Sequence, residues 1–399
     1  MADTAGSPSP RLALPYLSAA DPVGALLLAA AAWPHASGGE RPPAGEIDAT
    51  VLADAAERHG MLPVLHEYLA ARGEPIPPVL RERRTRASYR YLAQTAALKR
   101  VLSALAAAGV DALVLKGQPL SFQIYGRPDL RPAVDIDLLI DPGQREAADS
   151  VLVALGFRPA YATPVALLPA LMKDARYLAP GGIVLELHWR LLSNRFTLPW
   201  PFEALWAERV AVPLAGMDVF TLPPARQATY LALHGIHHAW DRLRWIADVA
   251  QLLREPEAME AALEKAGSLA PVLLHAIHVA ADTVSMPVAD RHRRLWRTRR
   301  VAALDRAVCR YASAKSRRET AGATLPTWAG QRFAEQWVLL LSCGGRRAVL
   351  EEIRLLLVSA ADRELVALPR GMTWLFPLLR PFLFLVRLVQ RDHVWRRAR

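Results

Sequence analysis

Two aspartates one residue apart, Asp135 and Asp137, stand inside the apolar run AVDIDLLIDP. Alternation of this kind reads as a strand, and alternate strand residues share a face. Asp135 and Asp137 therefore point one way, and Val134, Ile136, Leu138 and Ile140 point the other. Carboxylates are poor strand formers and costly to bury without a partner. Two of them about 7 Å apart along a strand can converge on a hard cation, which compensates that cost. Glu186, in IVLELHW, has Leu185 and Leu187 on its opposite face, the same setting on a second strand candidate. The three carboxylates make a candidate set for Mg²⁺ or Mn²⁺, and His188 follows Glu186 on the same face.

Upstream, LVLKGQPL reads as a strand end, a glycine turn and a helix start. Backbone N–H groups at a helix start cradle phosphate. Lys116, Gly117 and Gln118 are the candidates there, with Lys116 supplying positive charge. Arg127 and Arg131 precede the aspartate pair and are further candidate phosphate contacts; as surface arginines they read equally well as solvated charge.

A second constellation lies in HGIHHAWDRLRWIADVAQLL. As one continuous helix, it puts His234, His238, Asp241, Trp245 and Asp248 on a single stripe, with apolar side chains opposite. The stripe is expected to line the carboxylate cleft, where His234 or Asp241 would orient or deprotonate an acceptor. The alternative is a helix–helix seam with hydrogen-bonded histidines. His234 and His238 have the spacing of zinc ligands, but no Glu follows the first His, so this is not a metalloprotease motif. Arg244 and Asp248, one turn apart, read by default as an ion pair.

The elements that must hold these residues follow from texture. Residues 1–20 read as a loose tail, and 21–100 as a helical region rich in Ala and Leu. Three strand candidates fall within 101–222: DALVLKG, AVDIDLLIDP and GIVLELHWRLL. A further β piece, VAVPLAGMDVFTLPP, reads as a hairpin around Ala215-Gly216. Residues 223–399 read as helical, ending in a basic apolar tail. The expected fold class is α+β, a small mixed sheet flanked by N-terminal and C-terminal helical regions.

The totals bound the rest. The 399 residues suffice for two or three cores. With 52% hydrophobic and 22% charged residues the chain is globular rather than disordered. A net charge of +11 favours anionic partners or reflects an arginine-rich bias. Two cysteines exclude a disulfide framework and fit a cytoplasmic protein. Asp21-Pro22 before the first apolar run reads as a helix N-cap rather than part of a secretory signal. No uncharged apolar run is long enough for a spanning helix. The tail from 371 to 399, broken by prolines and flanked by arginines, either packs as a cap or lies weakly against an anionic membrane at its inner face. The interleaving of aromatic and basic residues that binds single strands is missing, so nucleic acid is a lesser expectation.

Taken together, LKG, YGRPDLRPAVDIDLLID, ELHWRLL and HGIHHAWDRLRWIADVAQLL resemble an uncharacterised bacterial family within the DNA polymerase β-like nucleotidyltransferase superfamily. The resemblance runs from about residue 90 to 255 and more weakly beyond. It implies a nucleotidyltransferase core at 101–222 in which Gly117 is the turn glycine, Asp135 and Asp137 the metal pair, and Glu186 the third acid. It also implies transfer of an NMP from an NTP. The turn here is Gly117-Gln118 where the superfamily has Gly-Ser or Gly-Gly, and the spacing to Asp135 is longer than usual. Relatives near gene clusters for lasso peptides and surface polysaccharides leave the acceptor open among a peptide natural product, a small molecule and a polysaccharide precursor. Two alternatives remain: a non-catalytic accessory protein that binds a nucleotide or peptide, and a toxin-like enzyme acting on tRNA.

Overall fold

The computed structural model describes residues 18–33, 47–160, 172–179, 181–321 and 324–357, and scattered positions between 366 and 383. Most of the loose tail assigned to 1–20 and of the basic apolar tail lies outside the described residues. The fold is α+β, mostly helical with one seven-stranded mixed sheet in the middle of the chain.

Four helices precede the sheet: α1 (Pro22–Ala32), α2 (Ala49–His59), α3 (Leu62–Ala71) and α4 (Pro78–Ala107). Asp21 caps α1 by accepting from the Gly24 N–H at 2.9 Å, as its place before Pro22 leads one to expect. The 30-residue α4 runs through position 100, so one helix joins the N-terminal region to the sheet. Its C-terminal half buries Ala97, Leu98, Val101 and Leu105 against the sheet.

The strands are β1 (Ala112–Val114), β2 (Asp135–Ile140), β3 (Arg158–Pro159), β4 (Asp174–Leu178), β5 (Val184–His188), β6 (Val210–Leu214) and β7 (Met217–Thr221), in the order β3-β4-β5-β2-β1-β7-β6. The pairs β1–β7 and β2–β5 are parallel and the others antiparallel. The three main strand candidates became β1, β2 and β5. The hairpin is β6–β7, turning at Ala215 (φ 51°) and Gly216 (φ 78°), with both central residues left-handed as a two-residue hairpin requires. β4 in KDARYLAP and the short β3 had no place in the sequence reading. Helix α5 (Gln118–Tyr125) follows β1, and α6 (Arg145–Ala154) follows β2.

Each sheet face has its own core. Ile136, Leu138, Ile140, Leu185, Leu187, Ala175 and Tyr177 pack under α4 and α6. On the other face, Leu113, Leu115 and Leu139 join a larger cluster with helices from both ends of the chain. The later helices are α7 (Phe202–Ala207), α8 (Pro224–His237), α9 (Leu243–Leu252), α10 (Pro256–Ala266), α11 (Ala270–Val284), α12 (Asp290–Leu295), α13 (Arg299–Ala321), α14 (Leu325–Leu341) and α15 (Arg346–Leu357). Helix α1 packs on α9 and α11, so the N-terminal and C-terminal helical regions share this core. The stretch Pro256–Val284 is apolar and long enough to cross a membrane by length and composition alone, though charged residues interrupt it; it is mostly buried and packs on α8 and α9.

The segment HGIHHAWDRLRWIADVAQLL is not one helix. Helix α8 stops at His237, and Ala239 (φ 58°) and Trp240 (φ 51°) turn the chain left-handed before α9 starts. Such backbone costs about 1–2 kcal/mol per residue. Packing offsets it. The Trp240 ring lies so close to Gly235 that a Cβ there would stand 2.2 Å away, and Trp240 Nε1 donates to His275 Nε2 at 3.0 Å.

Candidate functional site

Parallel pairing of β2 with β5 sets Asp137 directly beside Glu186 and Leu139 beside His188. The face opposite the α4 core therefore carries Asp135, Asp137, Glu186 and His188, as expected. The ligand atoms that converge are those of Asp137, Glu186 and His188, all within 4.8 Å of one another. This differs from the expected Asp135, Asp137 and Glu186 set. Asp135 starts the strand, half-buried, outside that group and with no hydrogen-bond or ion-pair partner among the described residues. His188 takes its place because β5 continues one more in-facing position along Asp137. Its Nε2 lies 3.2 Å from Asp137 Oδ1 and 3.6 Å from Glu186 Oε2. On the far side of the ring, Nδ1 is buried without a hydrogen bond, 3.6 Å from Asp174 of β4. Two carboxylates and an imidazole backed by a carboxylate make a donor set that fits a divalent cation.

The charges are interlocked. Lys116 Nζ is 3.3 Å from Asp137 Oδ2, with Asp137 almost wholly buried. Burial opposes ionisation of Asp137, but the Lys116 ammonium and His188 outweigh it and hold the carboxyl well below the usual carboxylate range. The adjacent His188 imidazole lowers Glu186 too, against burial and the neighbouring Asp137. Asp135 goes the other way: burial and the neighbouring Asp137 raise it, with Lys116 opposing. Burial and Lys173 would keep His188 neutral, yet Asp137 and Glu186 raise its affinity for a proton.

Gly117 adopts φ 72° and ψ −132°, backbone that a side chain rarely tolerates, and caps the start of α5. A groove here is lined by Gln94, Lys116, Gly117, Gln118, Asp135 and Asp137. Gln118 turns its amide away from it: Nε2 donates to Thr95 Oγ1 at 2.8 Å and to the Tyr91 carbonyl at 3.3 Å. Arg131 is not a free surface charge. Its Nε bonds both carboxylate oxygens of Asp248, at 3.0 and 2.9 Å, with both side chains buried. The expected Arg244–Asp248 pair is therefore absent, and Arg244 Nη1 instead donates to the Pro132 carbonyl at 2.8 Å. Arg127 pairs with Glu67 and Asp129.

The turn at Ala239-Trp240 rearranges the expected stripe. His234, His238 and Trp245 form one aromatic group, with ring centroids 4.6 to 5.1 Å apart. His234 also adjoins Tyr230, whose ring lies 6.0 Å from Lys116 Nζ. Burial and Lys116 hold His234 well below its ordinary range, so it is neutral near pH 7. Asp241 points elsewhere and pairs with Lys315 of α13, and Asp248 is taken by Arg131. These two leave the acceptor set. Tyr230, Lys173 and Asp174 enter the site's surroundings unannounced; alternation in DARYL was the available signal for the last of these.

The mixed sheet thus presents adjacent acidic side chains beside a glycine turn, with helices behind. The profile of the "Uncharacterised nucleotidyltransferase" family matches residues 45–285, more than half of the chain, and the chain belongs to that family. No curated protein matches it. Among solved structures it is similar to an antigenic nucleotidyltransferase-like protein from Paracoccidioides brasiliensis, at 16% identity over 43% of this chain and 89% of that one. The TM-score of 0.27 is too low for that likeness to carry an argument.

Proposed function

We propose that the protein transfers a nucleoside monophosphate from a nucleoside triphosphate to an acceptor. The carrying observation is the convergence of Asp137, Glu186 and His188 beside Lys116 and the Gly117 turn. Asp137, Glu186 and His188 would hold a divalent cation, with Asp135 as a further oxygen donor on the same face. A bound cation supplies Lewis acidity and neutralises phosphate charge. The N–H groups opening α5 and the Lys116 ammonium orient the phosphates. Neutral His234, near Lys116, can accept a hydrogen bond from an acceptor hydroxyl and hold it for attack. The acceptor classes that fit the family resemblance are a peptide natural product, a small molecule and a polysaccharide precursor.

The test is incubation of the pure protein with each radiolabelled NTP, Mg²⁺ or Mn²⁺ and a cell extract, tracking the label. Metal-dependent labelling by wild type, lost in Asp137→Asn, supports the reading; no labelling with any NTP and no NTP binding would overturn it. One observation favours a second reading, a non-catalytic nucleotide-binding accessory protein. Gln118 spends its side-chain donors on α4 rather than on the groove. Metal-dependent NTP binding without label transfer is the outcome that selects it.

A further inference from the structure

Two arginines stand near the carboxylates, and their commitments differ. Arg131 is already neutralised: its Nε bonds both oxygens of Asp248 in a buried pair, so its charge has a fixed counter-ion. Arg244, half-buried, makes no ion pair among the described residues. Asp248, one turn along its own helix, is taken by Arg131. Only Arg244 Nη1 is engaged, with the Pro132 carbonyl, and its Nε–H is buried without a hydrogen-bond partner.

The surroundings of Arg244 are built around it. A Cβ on Gly60 would stand 2.4 Å from Arg244 Cδ, so the glycine that ends α2 leaves the path the arginine stem follows. Pro132, which receives its Nη1, lies three residues before Asp135. Asp135 and Arg244 lie within electrostatic reach of each other. Burial and Arg131 hold the guanidinium down to about 10, still cationic near pH 7. A half-buried cation without a counter-ion costs free energy that an anion recovers, and the guanidinium fork matches phosphate oxygens.

We propose that Arg244, and not Arg131, is the arginine that binds the polyphosphate of the nucleotide, together with Lys116 and beside Asp135. The proposal rests on the nucleotidyltransferase reading above and deepens it. The C-terminal helical region then supplies part of the nucleotide site, and Arg131–Asp248 serves to position the segment that leads into β2. The ligand class is a nucleoside triphosphate gripped through its non-transferred phosphates. A monophosphate lacks the group that Arg244 would hold.

The experiment is calorimetric titration of the full chain with Mn²⁺ present. The ligands are each NTP, the matching NMPs and inorganic tripolyphosphate. Wild type is compared with Arg244→Lys and Arg244→Met. Loss of the fork is expected to weaken NTP and tripolyphosphate binding by about tenfold or more while NMP binding moves by less than about twofold. Arg244→Lys keeps the stem beside Gly60 and a donor for Pro132, so it decides the matter if Arg244→Met melts early. Wild-type affinity for NTP and tripolyphosphate in Arg244→Lys overturns the proposal and leaves the nucleotidyltransferase reading standing. If wild type itself binds no NTP, that reading falls and this one with it.

Discussion

Asp137 of β2 and Glu186 of β5 are direct partners across a parallel strand pair, so their carboxylates project side by side from one sheet face. Neighbouring strands are about 4.8 Å apart, and like charges at that spacing repel. The fold answers with cations built in. Lys116 reaches Asp137, His188 reaches both acids, and Arg176 Nε comes within 4.0 Å of Glu186. The arrangement holds two acids ionised in a largely buried place, which is what a cation-binding site needs.

The two aspartates should therefore behave differently on neutralisation. Asp137 is the counter-ion of Lys116, and Asp137→Asn leaves that ammonium buried and unpaired. Its apo-protein stability should fall by about 3 kcal/mol. The Asp135 side chain makes no hydrogen bond or ion pair among the described residues and is pushed up by burial and by Asp137, so Asp135→Asn should melt at the same temperature as wild type or higher. Both variants should lose label transfer. Differential scanning calorimetry without metal separates them; equal melting temperatures would remove the distinction.

His188 carries the nitrogen of the candidate ligand set. His188→Gln is expected to weaken Mn²⁺ binding by about 10–100-fold, in the range that loss of a supporting group costs a metal site. Electron paramagnetic resonance of free Mn²⁺ reads this without any substrate. Unchanged Mn²⁺ affinity would take His188 out of the site.

Much of this site was legible because strands write alternation into sequence. Asp135, Asp137, Glu186 and His188 were placed on one polar face by period alone, and Ala215-Gly216 announced its hairpin. What could not be read was register and partnership. Nothing local says that β5 lies parallel to β2 in the register that sets Asp137 beside Glu186, with His188 next along and Asp135 at the strand's start. The helical stripe failed for another reason. The period of HGIHHAWDRLRW continues smoothly through a break enforced by Trp240 packing on Gly235, a contact that also draws on His275 from a distant helix. Arg131 is charged and precedes the aspartate-bearing strand, yet its partner Asp248 comes from across the fold.

The Arg131–Asp248 pair is structural, and its removal should be felt as stability. Asp248→Asn preserves volume but leaves a buried guanidinium uncompensated, at a cost of about 3–5 kcal/mol. The double variant Arg131→Met, Asp248→Leu should recover much of that loss, since neither charge then remains. Urea midpoints of the single and double variants check this. A double variant as unstable as the single one would mean that the pair does more than neutralise itself.

The last expectation concerns pH. His59 is buried; burial and Arg58 hold it down to about 4, and its Nδ1 accepts the Leu243 N–H at 3.3 Å. Burial likewise takes His237 down to about 4. In the unfolded chain each titrates near its ordinary value of about 6.5. Between pH 6.5 and 4 the unfolded state therefore binds more protons, and stability falls as pH falls, on the order of 3 kcal/mol from His59 alone. His278 has the opposite sign. Burial opposes its charge, but Asp282 and Asp305 raise it to about 9. Its stabilisation is complete below about 6.5 and is lost as pH rises towards 9. The melting temperature should thus peak near pH 6.5 and decline on both sides. His278→Gln should lower the peak and flatten the alkaline limb while leaving the acid limb in place. His59→Gln should flatten part of the acid limb only. A wild-type melting temperature that stays level from pH 6.5 to 9 contradicts the His278 assignment.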